Sequence, residues 1–314
     1  MKYPSTQVAR SPLTVWLLLA VLALTWGSSF ILIKKALVVF SVPQVGTLRV
    51  FAAFLFFIPI LILKRRQLPP PGRWGWCLVA GLLGNLVPAL LFAAAGSRLN
   101  SSVSGILNSF TPLFALLIGV LFFRQPLRSR QIWGMLFGLA GCVLIILVGT
   151  EGKFSLNNSA FLVILATVLY GFNLHIVKQF LSGIPPLALT ATIFATTGPL
   201  AAIGLFSGDF LQRAVQPEAF TPLILLLTLG VVGTGIAMIL FNWLLQITSA
   251  VVASSVTYLM PIVAVVWGLL DGEKLYAQHL LGMAVILVGV YLVNRPTRQI
   301  VSDKPVEMAS DSNR

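Results

Sequence analysis

Leu99 to Phe123 reads LNSSVSGILNSFTPLFALLIGVLFF, 25 residues without a charge and with Pro112 at their centre. About 20 apolar residues suffice for a helix to cross a bilayer, so the stretch predicts a membrane span. Within it Ser101, Ser104, Asn108 and Thr111 recur at helical spacing on one side. Such groups are costly against lipid, so this side belongs in a bundle interior or a water-filled cavity, and Pro112 removes a backbone hydrogen bond beside it. Packing against neighbouring helices would satisfy the same constraint as the wall of a passage.

Duplication favours the passage. Shifting the chain by 149 positions lays Gly81, Gly84, Leu91, Phe92, Val103, Pro112, Ala115 and Gly119 onto Gly230, Gly233, Leu240, Phe241, Val252, Pro261, Ala264 and Gly268, all identical. A helix pair occurs twice, proline included.

Composition bounds the class. Of 314 residues, 58% are hydrophobic and 9% charged, against roughly 25% charged in soluble domains. The chain is a polytopic all-α membrane protein. Cys77 and Cys142 both fall in apolar segments, too few and too far apart for a disulfide framework or a metal site. The net charge of +13 comes from basic residues dispersed at segment ends, with no basic stripe interleaved with aromatics, so no nucleic-acid partner is expected.

In chain order, residues 1–12 form a polar tail, and Leu13 to Ile33 is a retained first helix, longer than a signal-peptide core. Pro43 to Leu63 is the second helix and carries Arg49, an intramembrane charge. Trp74 to Ser97 is the third and the opening stretch the fourth. Gln131 to Thr150 is the fifth, where Gly134 and Gly138 make a GxxxG contact. Residues 151–158 are the polar seam between a first repeat, 13–150, and a second, 159–294. Ser159 to Val177 and Pro186 to Phe206 are the sixth and seventh helices. Ala219 to Leu270 holds 52 uncharged residues, enough for two crossings divided by a turn near Gln246 to Ser249. Gln278 to Val293 is the tenth, before a polar tail at 295–314.

Five crossings per half is an odd number, so the second half enters the membrane from the opposite side and the repeat is inverted. With a cytoplasmic amino terminus, 14 of the 21 Lys and Arg lie inside and six outside, Arg49 being the remaining one. Both termini are therefore expected in the cytoplasm. The first helices of the halves also match, at a shift of 144: Trp26, Gly27 and Lys34 fall on Tyr170, Gly171 and Lys178.

WGSSFILIKKA after the tail, LRVFAAFLFF around Arg49, the two prolines and GEKLYAQHLLGMAVILVGVYL near the end resemble the drug/metabolite transporter superfamily, EamA type. The resemblance covers Leu13 to Val293. It implies a multi-pass inner-membrane secondary transporter, often an exporter of amino acids, other small metabolites or drugs, with a cavity lined by helices 1, 3, 4, 6, 8 and 9. The family's Gly-Glu pair after the fourth and ninth helices is kept as Gly272 and Glu273, whereas the first copy reads Phe123 and Arg124.

Spacing and this architecture together name the candidate cavity residues: Trp26, Ser29, Arg49, Asn85, Ser104, Asn108, Tyr170, Asn173, Thr234, Asn242, Thr257 and Tyr258. Ser254 lies in the same region, and Pro112 and Pro261 are the hinge candidates. Amides, hydroxyls and aromatics suit a small amphiphilic solute better than a bare ion. Arg49 must find carbonyls, water or an anion; a structural or gating role is the simpler reading and a substrate carboxylate the alternative. His175 reads as a satisfied interfacial histidine.

No carboxylate lies at mid-membrane, which weakens a carboxylate proton relay and leaves facilitated movement open. HExxH, P-loop and GxSxG motifs are missing, so no enzyme, cofactor or metal is expected. The partners expected are a small-molecule substrate, the bilayer and, through GxxxG, a second copy in a homodimer. The rival readings are a scaffold or sensor without transport and a channel-like permease.

Overall fold

The computed structural model describes residues 12–125, 129–148, 158–247 and 256–294, except the side chains at 12, 142, 145–148, 242, 245, 246, 258, 293 and 294. The polar tails, the seam and Ser254 lie outside this description.

Regular structure among the described residues is helical. The long helices are α1 (Pro12–Ala36), α2 (Val42–Leu63), α3 (Trp74–Gly81, Leu82–Leu86 and Val87–Gly96) and α4 (Ser101–Asn108 and Thr111–Phe123). Next come α5 (Ser129–Val148), α6 (Asn158–Phe180), α7 (Pro186–Phe206) and α8 (Phe220–Gly230, Val231–Ile236 and Ala237–Ile247). The last are α9 (Val256–Leu270) and α10 (Ala277–Asn294). The turn expected at Gln246 to Ser249 falls largely outside the described residues, with α8 helical to Ile247.

Local sequence explains the helix starts. Pro43 and Pro186 stand in the first turns of α2 and α7, where a missing N–H costs nothing. Ser41 and Gln44 form a capping box on α2, with Ser41 N–H donating to Gln44 Oε1 at 2.9 Å. Among the described residues seven helices, α1 to α4 and α6 to α8, are long and apolar enough to cross a bilayer. Their outward faces expose large apolar side chains such as Leu24, Leu55, Phe122, Ile203 and Phe220. Water would reject such a surface, and lipid accepts it. The molecule is a multi-pass helical membrane protein.

Neighbouring helices form a ring in the order α3, α6, α4, α9, α1, α8, closed by α2 and α7, which pack on each other and on α8 and α3 respectively. α5 and α10 pair beside α4. Exchanging the halves, α1 for α6 through α5 for α10, carries the main contacts onto one another: α1 on α9 becomes α6 on α4, and α3 on α6 becomes α8 on α1.

Glycines set the closest crossings at equivalent places. A Cβ on Gly27 would strike Val263 and the Met260 carbonyl, and one on Gly171 would strike Ile118 and the Ala115 backbone. The GxxxG of α5 is filled from within the chain: a Cβ on Gly289 of α10 would meet the Gly134 carbonyl at 2.5 Å and Gly138 N at 2.6 Å. That motif therefore offers no free face to a second copy.

Candidate functional site

Midway along α3 and α8 the helical hydrogen bonding loosens into a π-helical turn, at Leu82–Leu86 and Val231–Ile236. The two turns coincide under the shift of 149 and hold Asn85 and Thr234 at equivalent positions. A π turn displaces backbone groups from the ladder and often marks a functional site. In α8 the Gly233 carbonyl accepts the Trp26 indole N–H at 3.0 Å, and Thr234 Oγ1 donates to the Leu229 carbonyl at 3.2 Å. In α3 a Cβ on Gly84 would collide with the Asn173 amide, while one on Gly233 would sit 3.6 Å from Ser29 Oγ. Ser29 and Asn173 correspond under the shift of 144, so each half lays a polar side chain against the other half's π turn.

Arg49 joins this cluster from α2. Its Nε donates to Thr234 Oγ1 at 2.9 Å, and Tyr170 of α6 is within electrostatic reach. Trp26 rests on Phe241 with ring centroids 5.2 Å apart, and Tyr170 stacks on Phe92 at 6.2 Å. Trp26, Ser29, Arg49, Tyr170, Asn173 and Thr234 thus gather around the two turns. Asn85 is half-buried in the α3 turn. Ser104 and Asn108 are buried on α4, and among the described residues Ser104 Oγ and Asn173 Oδ1 have no hydrogen-bond partner. Thr257 is half-buried on α9. The side chains of Asn242 and Tyr258 are outside the described residues.

α4 departs from the expected continuous span. It breaks at Ser109 and Phe110, and Pro112 stands in the first turn of the second segment. A proline there has no helical hydrogen bond to lose, so the discontinuity precedes it. Pro261 lies inside α9. Ser101 faces away from the central cluster into an ionic one.

That second cluster joins the carboxyl ends of α1 and α9 to the amino end of α4. Glu273 accepts Lys34 Nζ at 2.7 Å, Ser101 N and Oγ at 2.8 Å each, Ser102 N at 3.1 Å and Ser102 Oγ at 2.6 Å. The first-turn N–H groups of α4 have no partner within their helix, and their partial positive charge favours a carboxylate. Lys34 also donates to Asp271 Oδ2 at 2.7 Å, and Lys35 pairs with the other Asp271 oxygen. Burial pushes the Glu273 carboxyl up, but Lys34 and the two serines outweigh it and hold the group below the usual carboxylate range. Lys34 and Lys35 hold Asp271 below its usual range too. Gly272, at φ +78, supplies the left-handed turn that folds Glu273 back. The clue to this network was the retained Gly-Glu pair; Ser101 was legible only as part of the polar side of α4, and Ser102 carried no signal.

At the other end the first half ends differently, and the structure corrects the pairing of Phe123 and Arg124 with the Gly-Glu motif. Arg124 takes the left-handed turn at φ 52, and Gln125 N–H returns to the Gly119 carbonyl at 3.0 Å, as Glu273 N–H does to Gly268 at 2.9 Å. One inserted residue makes Arg124 and Gln125 the counterparts of Gly272 and Glu273. A neutral amide stands where the carboxylate would be. Nearby His175 is buried, with Nε2 2.8 Å from the Ala115 carbonyl and its ring on Phe123. A cleft of about 410 Å³ there, lined by Phe122, Phe123, Arg124, Gln179 and Phe180, holds none of the central polar groups.

The model of the EamA-like transporter family matches residues 14–147 and 157–295, one copy per half. The chain belongs to the EamA-like transporter family. Among its relatives is an uncharacterized transporter of Archaeoglobus fulgidus, 24% identical over 287 residues, covering 89% of this chain and 98% of the relative. The uncharacterized inner membrane transporter YedA of Escherichia coli K12 is 26% identical over 280 residues, 87% of this chain and 88% of YedA. A WAT1-related chloroplastic protein of Arabidopsis thaliana is 26% identical over 282 residues, 86% of this chain and 67% of that protein. A crystal structure at 17% identity shares the fold, with a TM-score of 0.60 over 90% of this chain and 96% of that one.

Proposed function

We propose that this family member is a secondary transporter of the inner membrane, built as ten spans in two inverted repeats, 13–150 and 159–294, with both termini cytoplasmic. It moves small amphiphilic solutes, amino acids or other metabolites, outward through the space between its halves. The observation that carries this reading is the pair of equivalent π turns, each faced by a polar side chain of the opposite half. Two matched half-sites across a pseudo-two-fold are what an alternating-access carrier requires.

The exits differ. The Glu273 network joins the ends that positive-inside counting places outside, and it is the outer gate. The inner gate has Gln125 in place of the carboxylate. The break in α4 before Pro112 and the proline within α9 let the two gating helices bend in turn.

Loop contacts support the alternating topology. Arg73 donates to the Ser182 carbonyl at 2.8 Å and Arg130 to the Leu292 carbonyl at 3.1 Å, in both cases between ends assigned to the cytoplasm. Gln44 donates to Asp209 at 2.7 Å and Arg213 to the Val39 carbonyl at 2.9 Å, between ends assigned outside.

Flux from proteoliposomes holding the purified protein tests the assignment. A carrier gives saturable, competable efflux of its solute. Flux that rises linearly without saturation would make it a channel, and flux equal to that of empty vesicles would remove transport altogether.

A further inference from the structure

We infer that Arg49 is the anchor for an anionic group, a carboxylate in the first place, on the solute that enters the central cluster. The inference rests on the transporter reading above and adds to it the charge of the substrate. Among the described residues the guanidinium makes one hydrogen bond, from Nε to the neutral hydroxyl of Thr234. Arginine has five N–H donors, so the fork formed by its two Nη groups is left for another acceptor. That fork matches a carboxylate in a two-point contact. Among the described residues the ion pairs use Asp271, Glu273 and Asp209, all at helix ends, and none reaches Arg49.

The position does not itself call for a cation. Under the shift of 144 the equivalent of Arg49 is Ile193. Both sites sit at the same close crossing, because a Cβ on Gly230 would meet the Arg49 carbonyl at 2.8 Å and one on Gly81 the Ile193 carbonyl at 3.2 Å. An isoleucine therefore satisfies the packing, and the charge serves something else. A cation without a counter-charge inside a span is costly, and an arriving anion offsets that cost. The tight crossing also keeps the α2 backbone from retreating, so the side chain cannot withdraw toward either surface without leaving Thr234.

The neighbours complete the picture of the ligand. Tyr170, within electrostatic reach of the guanidinium, brings a hydroxyl and stacks on Phe92, and Trp26 is held at Gly233, next to the Thr234 that Arg49 contacts. The solute is a compact anion on an apolar or aromatic body.

The test is thermal unfolding of the purified full-length protein in nanodiscs with leucine, phenylalanine and 4-phenylbutyrate, with the amide of each, and with inorganic phosphate. The wild-type midpoint should rise with at least one free acid, while its amide and phosphate give no rise at tenfold higher concentration. Arg49→Ile, whose unliganded midpoint should stay close to wild type as Ile193 implies, should lose at least tenfold in apparent affinity for that acid. Arg49→Lys should recover part of it. Equal stabilisation by acid and amide, by phosphate alone, or of Arg49→Ile and wild type by the acid would overturn the inference, as would a set in which no acid stabilises the wild type. Efflux measured separately from proteoliposomes tells the two readings apart: saturable efflux that ignores the solute's charge keeps the transporter and removes the anion anchor.

Discussion

Lys34 Nζ and Glu273 Oε1 lie 2.7 Å apart although 239 positions separate them in sequence, and the same carboxylate caps α4 through Ser101 and Ser102. One acidic side chain thus ties three helices of both halves together at one end. The matching place at the other end holds Gln125. In the orientation proposed above, the charged end faces outside and the neutral end inside, and the resting protein is proposed to be shut toward the outside.

Glu273→Gln should loosen that gate. Hydrogen bonds to a charged group contribute about 1.5–3 kcal/mol each, and 1.4 kcal/mol is a factor of ten in population. In a Cys77→Ala, Cys142→Ala background, a Ser104→Cys probe should react with an impermeant maleimide from outside about tenfold faster once Glu273 is Gln. An unchanged labelling rate would mean that the cluster does not gate.

The pH response follows from the lowered Glu273 value. A group whose folded-state value lies below that of the free side chain, about 4.3 for Glu, contributes fully above that range and loses its contribution only as pH falls through the lower value. The ratio of the probe's labelling rate in Glu273→Gln to that in the Glu273 protein, which cancels the thiolate fraction of the cysteine, should be flat from about pH 8 to pH 5. A transition centred between pH 5 and 7 would place another titrating group in the gate.

Gly289→Leu should separate α5 from α10. Its side chain would meet the Gly134 carbonyl and the Gly138 backbone, neither of which can move aside. Overpacking of this kind costs about 1–3 kcal/mol or more. The thermal midpoint in detergent should drop by several degrees, and a midpoint within about one degree of wild type would contradict the packing described here.

Much of the scaffold was legible because each span carries its own signal. Pro112 and Pro261, Gly81 and Gly230, and Trp26 and Tyr170 lie in register because both halves keep the same crossings. The central residues Trp26, Ser29, Arg49, Tyr170, Asn173 and Thr234 were nameable because polar groups in an apolar run must face inward. The π turns were not, since their hydrogen bonding depends on how closely Asn173 and Ser29 approach Gly84 and Gly233. The GxxxG of α5 was legible as a contact but not its partner, which is Gly289 of the same chain. The motif shift from Gly272 and Glu273 to Arg124 and Gln125 was hidden by one inserted residue, which only the left-handed turn at Arg124 exposes.

Asn108 tests the central claim most directly. It is 9% exposed on α4 among the polar groups of the interior, and leucine nearly matches its volume, so Asn108→Leu should insert and fold while removing one polar wall of the proposed cavity. The measurement compares small molecules in the medium of cells making the intact protein with those from cells making Asn108→Leu at equal membrane abundance. A set of solutes that accumulates outside only with the intact protein is the predicted result. Indistinguishable media across a broad panel, despite equal abundance, would contradict export through this cavity.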